Sequence, residues 1–487
     1  MENKRFIKLP EVMFPDQNSK RITNLLKKGE IRKLAPRIYT SNFQDEASEI
    51  VRRNIWQIIG NLYPGAVLSH RSALEFKPTS TGNIFISYSY TKNIKLPGIK
   101  IRIIEGHGRL PEDNLLTDGL YVSQLERALL ENLQISRQTG PDSKTLPLPT
   151  IEEKLEEIIR IKGESALNEI RDKAKIIADA LALEDEYQKL TKIISSMLAT
   201  NPSKILTSPQ ALARAKGLPY DPDRLSLFNT LFAALKLSTF PVLRDQNVSK
   251  QAFRNFAFFE AYFSNYIEGT IFEIDEAKQI IETGVPIPNR SGDSHDITGT
   301  YKIVSDTLEM SLVPETPQEL LDILMYRHAT IMVGRPDKSP GSFKNKNNRA
   351  GETFFVDHTL VKGMLIRSFD YYRNLDHPLA RAMYIMFVIS EIHPFLDGNG
   401  RVARIMMNAE LVHKGSPKIM IPTVYRDDYM GALRRLTRQR DTIPYIKMMS
   451  RIHTFSHSIY GEDIDEMESK LRQSNAFKNH DESRLIF

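Results

Sequence analysis

Cysteine is absent from the 487-residue chain. That excludes a disulfide scaffold, a thiolate metal site and a cysteine nucleophile, and it fits a reducing compartment. Long apolar runs are missing too: nothing approaches the roughly 18 consecutive apolar residues of a membrane-spanning helix. The opening MENKRFIKLPEVMF has no apolar signal core, so a cytoplasmic protein with no membrane partner is expected. No internal repeat or low-complexity tract stands out. What is present is ordinary for a soluble globular protein, with 41% hydrophobic and 26% charged residues. At roughly 150 residues per domain, the length predicts about three domains.

The net charge of +6 is unevenly placed. Residues 1–150 hold 22 Lys+Arg against 15 Asp+Glu, and the rest hold 44 against 45. The first 40 residues alone carry 10 against 4. A basic end on a neutral body calls for an anionic partner, most often nucleic acid; a solvated Lys/Arg surface is the plain alternative.

The pattern along the chain predicts five parts: 1–50, 51–137, 138–220, 221–455 and 456–487. In the first, Asn18 and Ser19 cap a helix running through Lys28, which Gly29 ends. IRKLAPRIYTS then reads as two short strands around a turn at Ala35-Pro36. A helix over 51–62 and β-rich runs such as NIFISYS and IKIRIIEG follow. The polar stretch 138–150, with Pro141, Pro147 and Pro149, reads as a linker, and 151–200 as two bridging helices. Beyond about Asp221 the chain reads as mostly helical, interrupted by a loop over 285–299 and ending in a charged tail after Tyr460.

A helix followed by a basic ribbon is the plan of a winged helix. With the KKGEIRKLAPRIY, PGAVLSHRSAL and RALLENLQISR segments, residues 1–137 resemble the abortive-infection (AbiEi) type of antitoxin. The resemblance implies a small α/β extension over 51–137. It also implies promoter DNA as a partner, held through Lys20, Arg21, Lys27, Lys28, Arg32, Lys33 and Arg37. A protein-docking role for the same fold is the alternative.

The segment with the densest chemistry is HPFLDGNGRVAR, His393 to Arg404. Helical spacing upstream predicts a buried helix over 378–391, and downstream a second one lasting until Gly415 and Pro417. Gly398-Asn399-Gly400 therefore sits at a helix N-terminus, where free N–H groups and the dipole attract anions. Two glycines let an oxygen-rich ligand approach the backbone. Arg401 and Arg404, three apart, can both reach a polyphosphate. Asp397 offers a hard oxygen suited to Mg2+, and His393 is the nearby group able to exchange a proton near neutral pH. These are parts for phosphoryl or nucleotidyl transfer.

The segment is similar at every defined position to the Fic family signature, H-x-F-x-D/E-G-N-G-R-x-x-R. The resemblance implies a mostly α-helical Fic fold and transfer of AMP from ATP to a Ser, Thr or Tyr hydroxyl of a protein. His393 would be the general base. Asp397 would hold Mg2+ on the α- and β-phosphates. Gly398, Gly400 and the Asn399 amide would bind phosphates, Arg401 the β-phosphate and Arg404 the γ-phosphate. Phe395 would anchor the loop, and Asn408 would lie near the ribose and adenine.

GSFKNKNNRAGETFFVDHTLV resembles the family's β-hairpin flap, with its turn at about Asn347–Gly351 and Phe354, Phe355 and Val356 forming the edge that aligns the target backbone. Upstream, RNFAFFEAYFSNYIEG places Ser264 and Glu268 four apart on one helix face, followed by Gly269. This resembles the family's inhibitory motif S/T-x-x-x-E-G/N, in which the Glu pairs with the second signature Arg. The expected whole is a multidomain α+β protein: a winged helix with its extension, then an auto-inhibited protein adenylyltransferase. A nucleotide-sensing regulator and a deAMPylase are the alternatives, and a homodimer stays open.

Overall fold

The computed structural model describes residues 9–15, 19–201 and 204–487. The chain forms two compact units, Met1–Lys216 and Gly217–Phe487. In the first, a helix over Ser19–Lys27 ends before Gly29 in the left-handed region (φ 70°). Strands β2 (Arg32–Ala35) and β3 (Ile38–Thr40) follow as an antiparallel ribbon, with β1 (Val12–Met13) on the other side of β3. Asn18, expected as a cap, lies outside the described residues.

A second, mixed sheet has six strands in the order β6-β7-β5-β4-β9-β8. These are β4 (Val67–Leu68), β5 (Asn83–Tyr88), β6 (Lys92–Leu96), β7 (Ile99–Glu105), β8 (Asn114–Thr117) and β9 (Leu120–Val122). Strand β7 shows why: Ile99, Ile101 and Ile103 are buried while Lys100 and Arg102 turn outward, the period of two that one buried face requires.

Three expectations for this unit change. The helix over 51–62 is two helices, Ala47–Arg53 and Ile55–Leu62, because the Asn54 side chain donates to the Ile50 carbonyl and to Glu11. The two bridging helices are three, Leu148–Lys162, Ser165–Leu181 and Glu184–Met197, broken at Gly163 (φ 83°) and Ala182 (φ 55°). They enclose a core of their own with Leu129, Leu130 and Leu133. The supposed linker is tied down: Asp142 accepts from Thr81 and Asn83, and Leu146 donates to Asn132.

The second unit is helical around a central pair, Pro378–Ile392 and Asn399–His413. His377 caps the first of these, and Pro378 opens it, where a missing N–H costs nothing. That helix is apolar almost all round, the mark of one surrounded by others. The expected loop over 285–299 is a loop only to Arg290. The helix Ser291–Val304 begins there, and Gly299 lets it approach Ile331, where an added Cβ would meet backbone at 2.9–3.0 Å. The charged tail holds a helix over Ile464–Gln473, and Phe477 beyond it packs on Phe259, Tyr262 and Phe263. Among the described residues no helix is long and apolar enough to cross a membrane.

Candidate active site

The central helix stops because His393 adopts the left-handed region (φ 53°), and Gly398 (φ 72°) opens the next helix. The loop between them is closed by Asn399, whose amide accepts from the Phe395 N–H at 2.8 Å and donates to its carbonyl at 2.9 Å. That amide makes two hydrogen bonds that close the loop, where the expected role had it binding phosphates. Phe395 is fully buried, as an anchor should be. It stacks on His328 at 3.8 Å between ring centres, and His328 bonds the Asp397 carbonyl and the Gly341 N–H. His328 was not legible in the sequence, since a lone histidine within a helix carries no spacing signal.

A cleft of about 470 Å³ is lined by Glu268, Phe355, His393, Gly400, Arg404 and Tyr429, among others. The His393 ring stacks on Phe355 at 3.7 Å. Its Nδ1 lies 3.3 Å from the Ser390 carbonyl, so a proton assigned to Nδ1 leaves Nε2 a free acceptor. Burial holds the ring's pKa down to about 4, so at neutral pH it is uncharged and able to take a proton.

Glu268 occupies the helix N-terminus. A Cβ on Gly400 would collide with its Oε1, so the carboxylate lies directly on the glycine. Its other partner is Arg404, which donates to Glu268 Oε1 at 2.7 Å and to the Ser264 hydroxyl and carbonyl at 2.9 Å each. Burial opposes the Arg404 charge, and Glu268 and Tyr429 together more than offset it, leaving the pKa raised. Gly269 (φ 92°) follows the helix Lys250–Ile267 that carries Ser264 and delivers the chain to Glu268.

Other expected residues lie elsewhere. Arg401 is buried against Asp296 at 3.0 Å and does not line the cleft. Asn408, expected near the ribose and adenine, is fully buried, its amide bonded to Glu260 and to the Ile419 backbone. The flap hairpin exists as β10 (Arg349–Ala350) and β11 (Thr353–Phe354), but it turns at Gly351 (φ 57°), not across Asn347–Gly351. Phe354 is exposed, Phe355 faces inward onto His393 and Val356 is buried, so three residues do not form one edge. Asp397 accepts from the Gly398 N–H at 2.7 Å. Among the described residues no group of three or more His, Cys, Asp or Glu could hold a metal. A single carboxylate suits Mg2+ that keeps waters and arrives on phosphates.

In the N-terminal ribbon and helix, Lys20, Arg21, Lys27, Lys28, Lys33 and Arg37 are exposed. Arg32 is not free: it donates to the Asn42 and Asp45 carbonyls and lies over Phe43.

Burial also holds His70, His328 and His453 down to about 4. All four rings sit below their ordinary 6.5, so the unfolded chain binds more protons between pH 6.5 and 4, and stability falls as pH falls through that window. Each ring contributes at most about 3 kcal/mol. The thermal midpoint is expected to drop steeply from pH 6.5 to 4; a flat midpoint between pH 7 and 5 would contradict neutral burial.

Residues 318–411 match the Fic/DOC family. The chain contains a Fic domain. The match includes the His393–Arg404 segment and the flap, and Glu268 lies before it. The protein adenylyltransferase Fic of Drosophila persimilis is 27% identical over 206 residues, 39% of this chain and 39% of that protein. Its counterpart in Drosophila erecta is 26% identical over 226 residues, 44% of each. This chain thus spans about two fifths of the length of these curated relatives. A solved Fic domain containing signalling protein from Bacteroides thetaiotaomicron aligns with 50% of this chain and 97% of its own, at 18% identity and a TM-score of 0.38.

Proposed function

We propose that the protein is an auto-inhibited protein adenylyltransferase that moves AMP from ATP to a Ser, Thr or Tyr hydroxyl of a target protein or of itself. The observation that carries this is the neutral His393 opening onto an anion cradle whose place is taken by Glu268. With Glu268 withdrawn, the N-terminus of the Asn399–His413 helix and Arg404 receive the triphosphate. The target hydroxyl gives its proton to His393 Nε2 as its oxygen bonds to the α-phosphorus. The bond from that phosphorus to the bridging oxygen breaks, and pyrophosphate leaves. Asp397 would hold Mg2+, which neutralises charge on the phosphates when bound.

The test is incubation of wild type and Glu268→Gly with α-labelled ATP, Mg2+ and cell lysate. Label appearing on protein supports the reading, and label from γ-labelled ATP in its place would contradict it.

A DNA-binding role for the N-terminal end is a second reading, favoured by the six exposed basic side chains on its helix and ribbon. The full chain is then expected to bind duplex DNA with affinity falling steeply with salt, and Lys27/Lys28/Lys33→Ala to flatten that slope by about three phosphate contacts. Binding that ignores salt in both proteins would leave a protein-docking module.

A further inference from the structure

The left-handed backbone at His393 is costly for a side chain of its size and persists only where the surroundings over-determine it. The carbonyls on both sides of it are held by one residue. Lys344, in the segment leading into the flap, donates its backbone N–H to the Pro394 carbonyl at 2.8 Å and its ammonium to the Ile392 carbonyl at 3.3 Å. The same ammonium donates to the Asn348 amide oxygen at 2.8 Å, and the Asn348 NH2 donates to the Phe395 carbonyl at 2.9 Å. Carbonyls 392, 394 and 395 are therefore clipped from one side by two residues four apart.

The chemistry of Lys344 is unusual for a clip. It is 4% exposed, and among the described residues no carboxylate comes within ion-pair distance of it. Its ammonium donates to two neutral oxygens, one of them at the C-terminal, negative end of the Pro378–Ile392 helix. A neutral donor would serve the hydrogen bonds with far less desolvation. Burial, with Arg224 and against Asp357, holds the ammonium's pKa down to about 8, so at neutral pH it keeps its charge at a cost, next to the one ring whose protonation the chemistry depends on.

We propose that Lys344 is a positioning residue for His393, locking the backbone on both sides of the ring and holding a positive charge against it. The inference rests on His393 being the base, and it adds the group that keeps it in order. The charged groups facing the ring are Lys344, which disfavours its protonation, and Glu268 and Asp397, which favour it; the Ser390 carbonyl is its hydrogen-bond partner. Burial and Lys344 therefore keep the ring neutral against two carboxylates.

The experiment is a histidine 13Cε1 NMR titration of the full chain, with the His393 signal assigned by its loss in His393→Ala. It reads protonation without turnover, so it stands even if the proposed transfer reaction is wrong. Lys344→Met is expected to raise the His393 midpoint by about one pH unit. Lys344→Gln serves the same comparison if Met is not tolerated. Asn348→Ala removes half the clip and no charge: it is expected to leave the midpoint in place while lowering transfer about 10-fold in the Glu268→Gly background, with ATP binding kept. An unmoved His393 midpoint in a folded Lys344→Met or Lys344→Gln protein would overturn the proposal. So would an equal rise in Asn348→Ala, which would show that the charge is not the cause.

Discussion

Replacing His393 by alanine is expected to abolish AMP transfer while ATP binding survives. The ring stacks on Phe355, and with its proton assigned to Nδ1, beside the Ser390 carbonyl, Nε2 is the atom free to act. In the proposed reaction its partner is the hydroxyl of the target protein, and no nucleotide contact is assigned to it. Losing a general base typically costs about 10²–10⁴-fold in rate, equivalent to roughly 3–5 kcal/mol in the transition state. The variant also removes the left-handed histidine and its ring stack, so a thermal midpoint must accompany the assay. Labelling by a folded Ala variant at the wild-type rate would remove His393 from the chemistry. Equilibrium dialysis with ATP separates the two functions: affinity should change little, because the cradle belongs to the next helix. Because the ring is held neutral down to about pH 4, the acid limb of transfer should lie well below pH 6.5 in any protein that keeps Lys344.

The signature helix pair was legible because its flanks are apolar at helical spacing and its loop carries residues with positive φ. The observed Pro378–Ile392 and Asn399–His413 depart from expectation by a residue or so. Ser264 and Glu268 are singled out by the resemblance to the inhibitory motif, since four-residue spacing on a helix is common by itself; the helix ends at Ile267 and Glu268 caps it. What the sequence does not show is long-range. Arg401 is assigned to a phosphate by the signature and by its spacing from Arg404, and its ion-pair partner Asp296 lies in a polar run that reads as a loop. That run is a helix, and the misreading hid the partner. Asn408 and Asn399 share the difficulty, since an amide's place in a motif does not say which backbone it will bond. The Asn-rich stretch before the flap reads as a turn because asparagine favours turns. Here Asn347 and Asn348 use their side chains on Asp357 and on the signature loop, and the turn falls to Gly351. Lys344 and His328 had no periodicity to betray them.

The largest gain is expected from Glu268→Gly. The wild-type carboxylate lies on Gly400 at the helix N-terminus and takes the Arg404 guanidinium as well. It thereby fills both halves of an anion site with a negative charge of the protein's own. On the proposed reading, ATP entering this state would meet a carboxylate where a phosphate should lie, and a displaced α-phosphate would lose in-line geometry with the target oxygen. A charge-assisted hydrogen bond of this kind is worth about 1.5–3 kcal/mol. Removing it should therefore raise automodification and target labelling about 10- to 100-fold. Ser264 also holds Arg404, through its hydroxyl and its carbonyl, so Ser264→Ala should release part of the lock and give a smaller gain. Arg404→Ala should not imitate Glu268→Gly, because it removes the phosphate clamp together with the lock. The measurement is label incorporation at saturating Mg2+ and ATP, with thermal midpoints recorded alongside. A folded Glu268→Gly protein no more active than wild type would refute auto-inhibition. An Arg404→Ala protein as active as Glu268→Gly would show that Arg404 serves only the lock.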